Sequence, residues 1–167
     1  AIARYLSKNE IPKPMGSRHP SIAPFEAFKT KDSHIIIAAG NDKLFENLCN
    51  FLKISEVSKN SKFDTNSKRA ENMDELKIIL ENKLKDKITS EWVKGMEKLK
   101  IPCGPIFNIK EAVENPQIKE RNMIVKSFHK VVGEFRTAGN PIKMSSYNDS
   151  ATRGDIPDLD EHRDKII

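Results

Sequence analysis

No stretch of this chain is apolar for anything near the ~20 residues a membrane-spanning helix requires, and no membrane partner is expected. The N-terminus, AIARYLSKNE, lacks the apolar core of a secretory signal, which places the expected location in the cytoplasm. Cysteine is scarce: Cys49 and Cys103 are the only two, neither lies in a CxxC or other ligand spacing, and no disulfide framework is expected. Aromatic residues make up 7% and never interleave with basic ones, so a base-stacking surface is missing and nucleic acid is not an expected partner. The net charge of +5 is carried by lysines scattered among acids, as in KLKDK and KGMEKLK, and reads as a solvated face. Also absent are a P-loop, a dinucleotide glycine fingerprint and a nucleophile elbow around a serine. The histidines His19, His34, His129 and His162 are too separated for a metal site by spacing, and no metal is expected.

What is present suffices for a core: 37% of the residues are hydrophobic against 32% charged. The stretch from Gly16 to Phe45, GSRHPSIAPFEAFKTKDSHIIIAAGNDKLF, organises the rest. Ile35-Ile36-Ile37-Ala38-Ala39 has the β-branched content of a buried strand, Phe25–Lys29 is its hairpin partner, and Lys31-Asp32-Ser33 turns between them. Gly40-Asn41-Asp42 then forms a sharp corner with N-cap residues for a helix over 41–53, whose apolar face includes Leu44, Phe45, Leu48 and Leu52. Before this stretch, residues 1–15 read as a helix end and a linker kept extended by Pro12 and Pro14, which suggests further polypeptide upstream.

Downstream, 54–64 is polar and irregular. A second helix is predicted from about 65–70 to 85, and a third, capped by Thr89 or Ser90, over 90–99 with Trp92 as a core anchor. Ile101-Pro102-Cys103-Gly104-Pro105-Ile106 excludes helix and disfavours a long strand. Short helices follow at 109–115 and 116–121, strands at 123–129 and 134–138, an extended piece at 142–145 and a terminal helix near 161–167. The fold class is α/β, with short antiparallel strands packed on three or more helices. On residues alone no catalytic set is complete. His19-Pro20 could be acid, base or hydrogen-bond donor, or a loop histidine satisfied by backbone; Asp42 could face a ligand or cap the helix. Glu161-His162 reads as a surface pair, since adjacent helical side chains diverge.

Three segments, YLSKNEIPKPMGSRHPSIAPFEAFKTKDSHIIIAAGNDKLF, IPCGPIFNIKEAVENPQIKERNMIV and GEFRTAGNPIKMSS with PDLDEHRDKII, occur in an order that resembles the family III CoA-transferases. This is the carnitine-CoA-transferase and bile-acid-inducible group, which also includes α-methylacyl-CoA racemases. The resemblance implies a homodimer of threaded subunits that moves CoA between carboxylic acids through an aspartyl-CoA thioester, with acyl-CoA and carboxylate as substrates and no tightly bound cofactor. It further implies that the nucleophilic aspartate and a Rossmann-like part lie upstream. The chain would then comprise a linker (1–15), a small domain (16–122) and a C-terminal segment returning to the large domain (123–167), with no catalytic residue of its own. Carried over by motif, His19, Pro20, Ser21, Gly40, Asn41 and Asp42 would border the substrate at a subunit interface, Asn41 donating to the acyl carboxylate. Departures from the pattern are GSRHPSIAP in place of a glycine-rich loop, Asp32-Ser33 for Asp-Gly, and Leu159-Asp160-Glu161-His162 for LGEH. The alternatives are the racemase branch and a non-catalytic domain that binds a partner chain.

Overall fold

The computed structural model describes residues 2–166, so the expectations at Ala1 and Ile167 lie outside it. In chain order the elements are α1 (Ile2–Lys8), β1 (Phe25–Lys29), β2 (His34–Ala38), α2 (Asp42–Phe51), α3 (Ser55–Ser58), α4 (Asn66–Glu71), α5 (Met73–Leu84) and α6 (Thr89–Lys98). There follow β3 (Cys103–Pro105), α7 (Ile109–Glu114), α8 (Pro116–Glu120), β4 (Ile124–His129), β5 (Gly133–Ala138) and α9 (Arg163–Ile166). The chain divides into two compact units between Ile106 and Phe107, whereas the sequence reading sets the boundary at 122/123. The short helices α7 and α8 fall in the second unit with the second hairpin, where Asn122, just past α8, donates through Nδ2 to the Asp149 carbonyl at 3.0 Å.

The first unit is built on the predicted hairpin. β1 and β2 pair antiparallel with Phe25 opposite Ala38 and Lys29 opposite His34. Alternation sends Phe28, Ile35 and Ile37 fully into the core. β3 adds to the free edge of β2, Cys103 opposite Ile37, giving the order β1-β2-β3. Pro105 ends that edge strand, where a missing N–H does not interrupt a ladder. Helices α2, α5 and α6 close the core with Phe45, Leu48, Leu76, Leu80, Leu84 and Met96. Trp92 anchors it: the indole Nε1 donates to the Leu84 carbonyl at 2.7 Å, and the ring meets Phe51 edge-on at 5.7 Å.

Three details differ from the pattern-based expectation. The single predicted helix over 65–85 breaks at Asn72, whose φ of −107° and ψ of 25° leave the α region, so α4 and α5 are separate. The irregular 54–64 contains the one-turn helix α3. The start of α6 is capped neither by Thr89 nor by Ser90; Asp32, in the β1–β2 turn, accepts from the Thr89 amide at 2.8 Å and hydroxyl at 2.9 Å. A carboxylate distant in sequence has taken the role expected of a neighbour.

The second unit is a pair of capped helices and a hairpin. Asn108 and Glu111 exchange side chain-to-backbone bonds in a capping box at the start of α7, and Pro116 opens α8 behind Asn115. β4 and β5 pair from Ile124 opposite Ala138 to His129 opposite Gly133, which turns at φ 81°. Residues 142–145, expected extended, lie in no strand. Among the described residues Val125 is the one hydrophobic side chain of this unit that is buried.

Candidate functional site

The two segments expected to border a substrate are brought together in the first unit, and α4 is what joins them. The loop before β1 carries His19, Pro20 and Ser21. The β2–α2 corner carries Gly40, Asn41 and Asp42. They meet directly where Ile22 packs on Gly40, so closely that a Cβ at Gly40 would lie 2.0 Å from Ile22 Cγ2. Glycine at this corner is therefore a demand of close approach. The Ala39 amide also donates to the Pro24 carbonyl at 2.9 Å.

Helix α4 ties both segments from behind. Asn66 matches the loop like a strand neighbour: Oδ1 accepts from the Ala23 amide at 3.0 Å and Nδ2 donates to the Ser21 carbonyl at 2.8 Å. Arg69 is wholly buried. Its Nε donates to the Ala23 carbonyl at 2.8 Å and one terminal nitrogen to the Phe63 carbonyl at 3.0 Å. The other terminal nitrogen donates to the Gly40 carbonyl at 3.1 Å and to Asp42 Oδ1 at 2.8 Å. The guanidinium also lies over the Phe45 ring at 4.6 Å.

These contacts decide what each expected residue can offer. His19 stacks on Phe25 with centroids 5.3 Å apart, and its Nδ1 accepts from the Ser21 and Ile22 amides at 3.2 and 3.1 Å. Two donors on Nδ1 hold the neutral ring in the tautomer that bears hydrogen on Nε2, which makes His19 a donor rather than a base. The helix cap is Asn41 and not Asp42: its Oδ1 accepts from the Leu44 amide at 2.8 Å. That bond orients the Asn41 side chain and leaves its Nδ2, on an exposed residue, as a donor. Asp42 is the first residue of α2, and its carboxylate neutralises Arg69. The Gly40 carbonyl is engaged by Arg69, while Pro20 and Ser21 are exposed on the loop.

Asn66 and Arg69 were missed by sequence reasoning. A signal existed for the second: Arg69 stands in phase with Met73, Leu76 and Leu80, all buried, so a cation sits at a core position of the repeat. Nothing in the sequence marks Asn66.

Other polar groups are accounted for structurally. Glu26, buried, accepts from Arg18 at 2.9 Å and Lys77 at 2.5 Å. Glu161 does not pair with its neighbour His162; it accepts from the Asp158 amide and from Lys130, which hold it below the usual carboxylate range. Burial pushes the Cys49 thiol up to about 12, and both cysteines are free thiols. Among the described residues no three His, Cys, Asp or Glu side chains cluster as metal ligands. None of the helices described is long and apolar enough to cross a membrane. A depression of about 280 Å³ beside the corner is lined by Asp42, Phe45 and Arg69 among others. The larger cleft of about 1090 Å³ belongs to the second unit, and none of the six expected residues lines it.

Comparison with known proteins bears on this geometry. The sequence profile described as CoA-transferase family III matches residues 1–163. An acetyl-CoA:oxalate CoA-transferase of Acetobacter aceti is 35% identical over 161 residues, covering 96% of this chain and 40% of that protein. A human succinyl-CoA:glutarate CoA-transferase is 34% identical over 165 residues, covering 99% of this chain and 37% of that one. Among solved structures, a CaiB/BaiF family protein from Brucella suis superposes with a TM-score of 0.74 at 33% identity, over 99% of this chain and 42% of its own. The chain thus spans about two fifths of the length of these relatives.

Proposed function

The chain belongs to CoA-transferase family III, and from that membership we propose that it is the C-terminal portion of an acyl-CoA:carboxylate CoA-transferase. In this reading the small domain lies in the first unit, from residue 16 to Ile106, and the segment that returns to the large domain lies in the second. The aspartate nucleophile comes from polypeptide outside these 167 residues. The complete enzyme is a homodimer, with CoA thioester as substrate and no tightly held cofactor.

The reaction runs as paired acyl exchanges. An aspartate oxygen attacks the thioester carbonyl; the C–S bond breaks, and CoA thiolate leaves a mixed anhydride. The thiolate then attacks the aspartyl carbonyl and releases the first acid as carboxylate, leaving aspartyl-CoA. The second carboxylate repeats both steps in reverse and departs as the new thioester, returning the aspartate. No net oxidation or proton transfer is required, so the protein contributes position and hydrogen-bond donors more than acid–base groups.

The observation that carries the reading on this chain is a pair of donors oriented by internal bonds on adjoining segments: His19 Nε2–H, set by two amides on Nδ1, and Asn41 Nδ2–H, set by the Leu44 amide on Oδ1. Two such donors suit a carboxylate or a developing oxyanion. The acids named for the two relatives, oxalate and glutarate, both carry a second carboxylate. We take the acceptor here to be a dicarboxylic acid whose distal carboxylate meets these donors.

The test is exchange of label between an acyl-CoA and a panel of free acids, catalysed by this sequence joined to the rest of its family polypeptide. Transfer to dicarboxylates, reduced by Asn41→Ala more than by a distant surface substitution, is the expected result. Epimerisation of a branched acyl-CoA with no acid-dependent transfer would favour the racemase branch instead.

A further inference from the structure

We infer that Arg69, aided by Asn66, is a positioning residue of this site. Its guanidinium sets the spacing between the His19–Ser21 loop and the Gly40–Asp42 corner, so that the two donors act as one rigid wall. The inference rests on the reading above that this wall faces substrate.

The geometry goes beyond what packing requires. Of the five N–H groups of a guanidinium, Arg69 commits donors to carbonyls from three separate segments, at Ala23, Phe63 and Gly40, as well as to Asp42. A fully buried cation is costly, and here its single countercharge, Asp42, is 68% exposed at the side chain. The buried charge is therefore held mainly by backbone oxygens, two of which, at Ala23 and Gly40, belong to the loop and the corner that carry the candidate donors. A planar fork fixes distance and angle between its acceptors together; a lysine ammonium is a point charge and cannot span them. Asn66 adds a matched donor–acceptor pair to the same loop on its Ser21–Ala23 side. The two segments are thus braced from α4, the arrangement expected where reacting groups must be held within a fraction of an ångström.

The test has two arms. In the 167-residue chain, amide and imidazole ¹⁵N spectra of Arg69→Lys are compared with wild type. In the complete transferase, kcat and KM are measured for Arg69→Lys, and for Arg69→Ala with and without added guanidinium. Expected are shifts in both segments at once, at Ser21 and Ile22 and at Gly40 and Leu44, with the folded spectrum retained. Turnover should fall about 10- to 100-fold while KM for the thioester moves less than about threefold, and guanidinium should restore part of it. Should Arg69→Lys unfold the chain, Asn66→Ala tests the loop side alone: shifts at Ser21 and Ile22 with reduced turnover are expected, and full turnover would overturn the inference. Shifts confined to α4, or full turnover in Arg69→Lys, would overturn the inference. Shifts in both segments with full turnover in His19→Ala and Asn41→Ala would instead overturn the functional reading, and with it the role given to Arg69.

Discussion

At the scale of single residues, two positions have consequences that do not depend on the assembled enzyme. A methyl group at Gly40 would meet Ile22 Cγ2 at 2.0 Å. Gly40→Ala is therefore expected to destabilise the chain by about 1–3 kcal/mol, as overpacking does. Trimming the partner in the double variant Gly40→Ala/Ile22→Ala should return part of that loss in urea unfolding. Equal stability of the single and double variants would place the strain elsewhere. Cys49 gives a pH-dependent outcome. Its folded thiol titrates near 12 because burial disfavours the thiolate, whereas an unfolded cysteine titrates near about 8.5. A raised pKa favours the folded state below the unfolded value and loses that advantage as pH climbs towards the folded one. Wild-type stability should therefore fall between about pH 9 and 12 more steeply than that of Cys49→Ala, and iodoacetamide should alkylate Cys49 only after unfolding.

At the scale of elements, the start of α6 depends on a turn far away in sequence. The Asp32 carboxylate is held below its ordinary range, chiefly by the Thr89 amide and then by the Thr89 hydroxyl. A lowered carboxylate pKa contributes stability above the unfolded value, which is lost as pH falls through the folded one. Asp32→Ala should lower the melting temperature at neutral pH, and its deficit relative to wild type should shrink below about pH 4. A deficit that does not change with pH would mean that Asp32 acts through packing. The same element shows what a sequence can and cannot convey. The hairpin, the Gly-Asn-Asp corner, α2 and Trp92 in the core were legible because each follows from neighbours: β-branched runs, a glycine before polar caps, apolar spacing. The cap on Thr89 was not, since Asp32 reaches it only once β1 and β2 have folded back. The break at Asn72 was hidden for a similar reason, because apolar spacing runs on from Arg69 through Met73 and Leu76 despite it. At the candidate site, the corner and the histidine turn were readable as motifs. The Asn66–Arg69 strut was not, apart from the misplaced charge in the helical repeat.

At the scale of the molecule, the second unit hardly has a core. Val125 is buried, yet Ile109, Val131, Ile142 and Leu159 are 69–101% exposed. So much apolar surface is a common mark of an interface. The isolated chain is expected to self-associate, giving a light-scattering mass above 19.0 kDa that rises with concentration; a constant monomer mass at high concentration would contradict this. The division of labour proposed for the enzyme, donors and framework here and the nucleophile elsewhere, is tested most directly by mass spectrometry of CoA adducts. With acyl-CoA, the 167-residue chain alone should form no covalent CoA adduct. The complete transferase should carry CoA on an aspartate outside these residues. An adduct on any carboxylate of this chain, or none on the complete enzyme across a panel of acyl-CoAs, would contradict it.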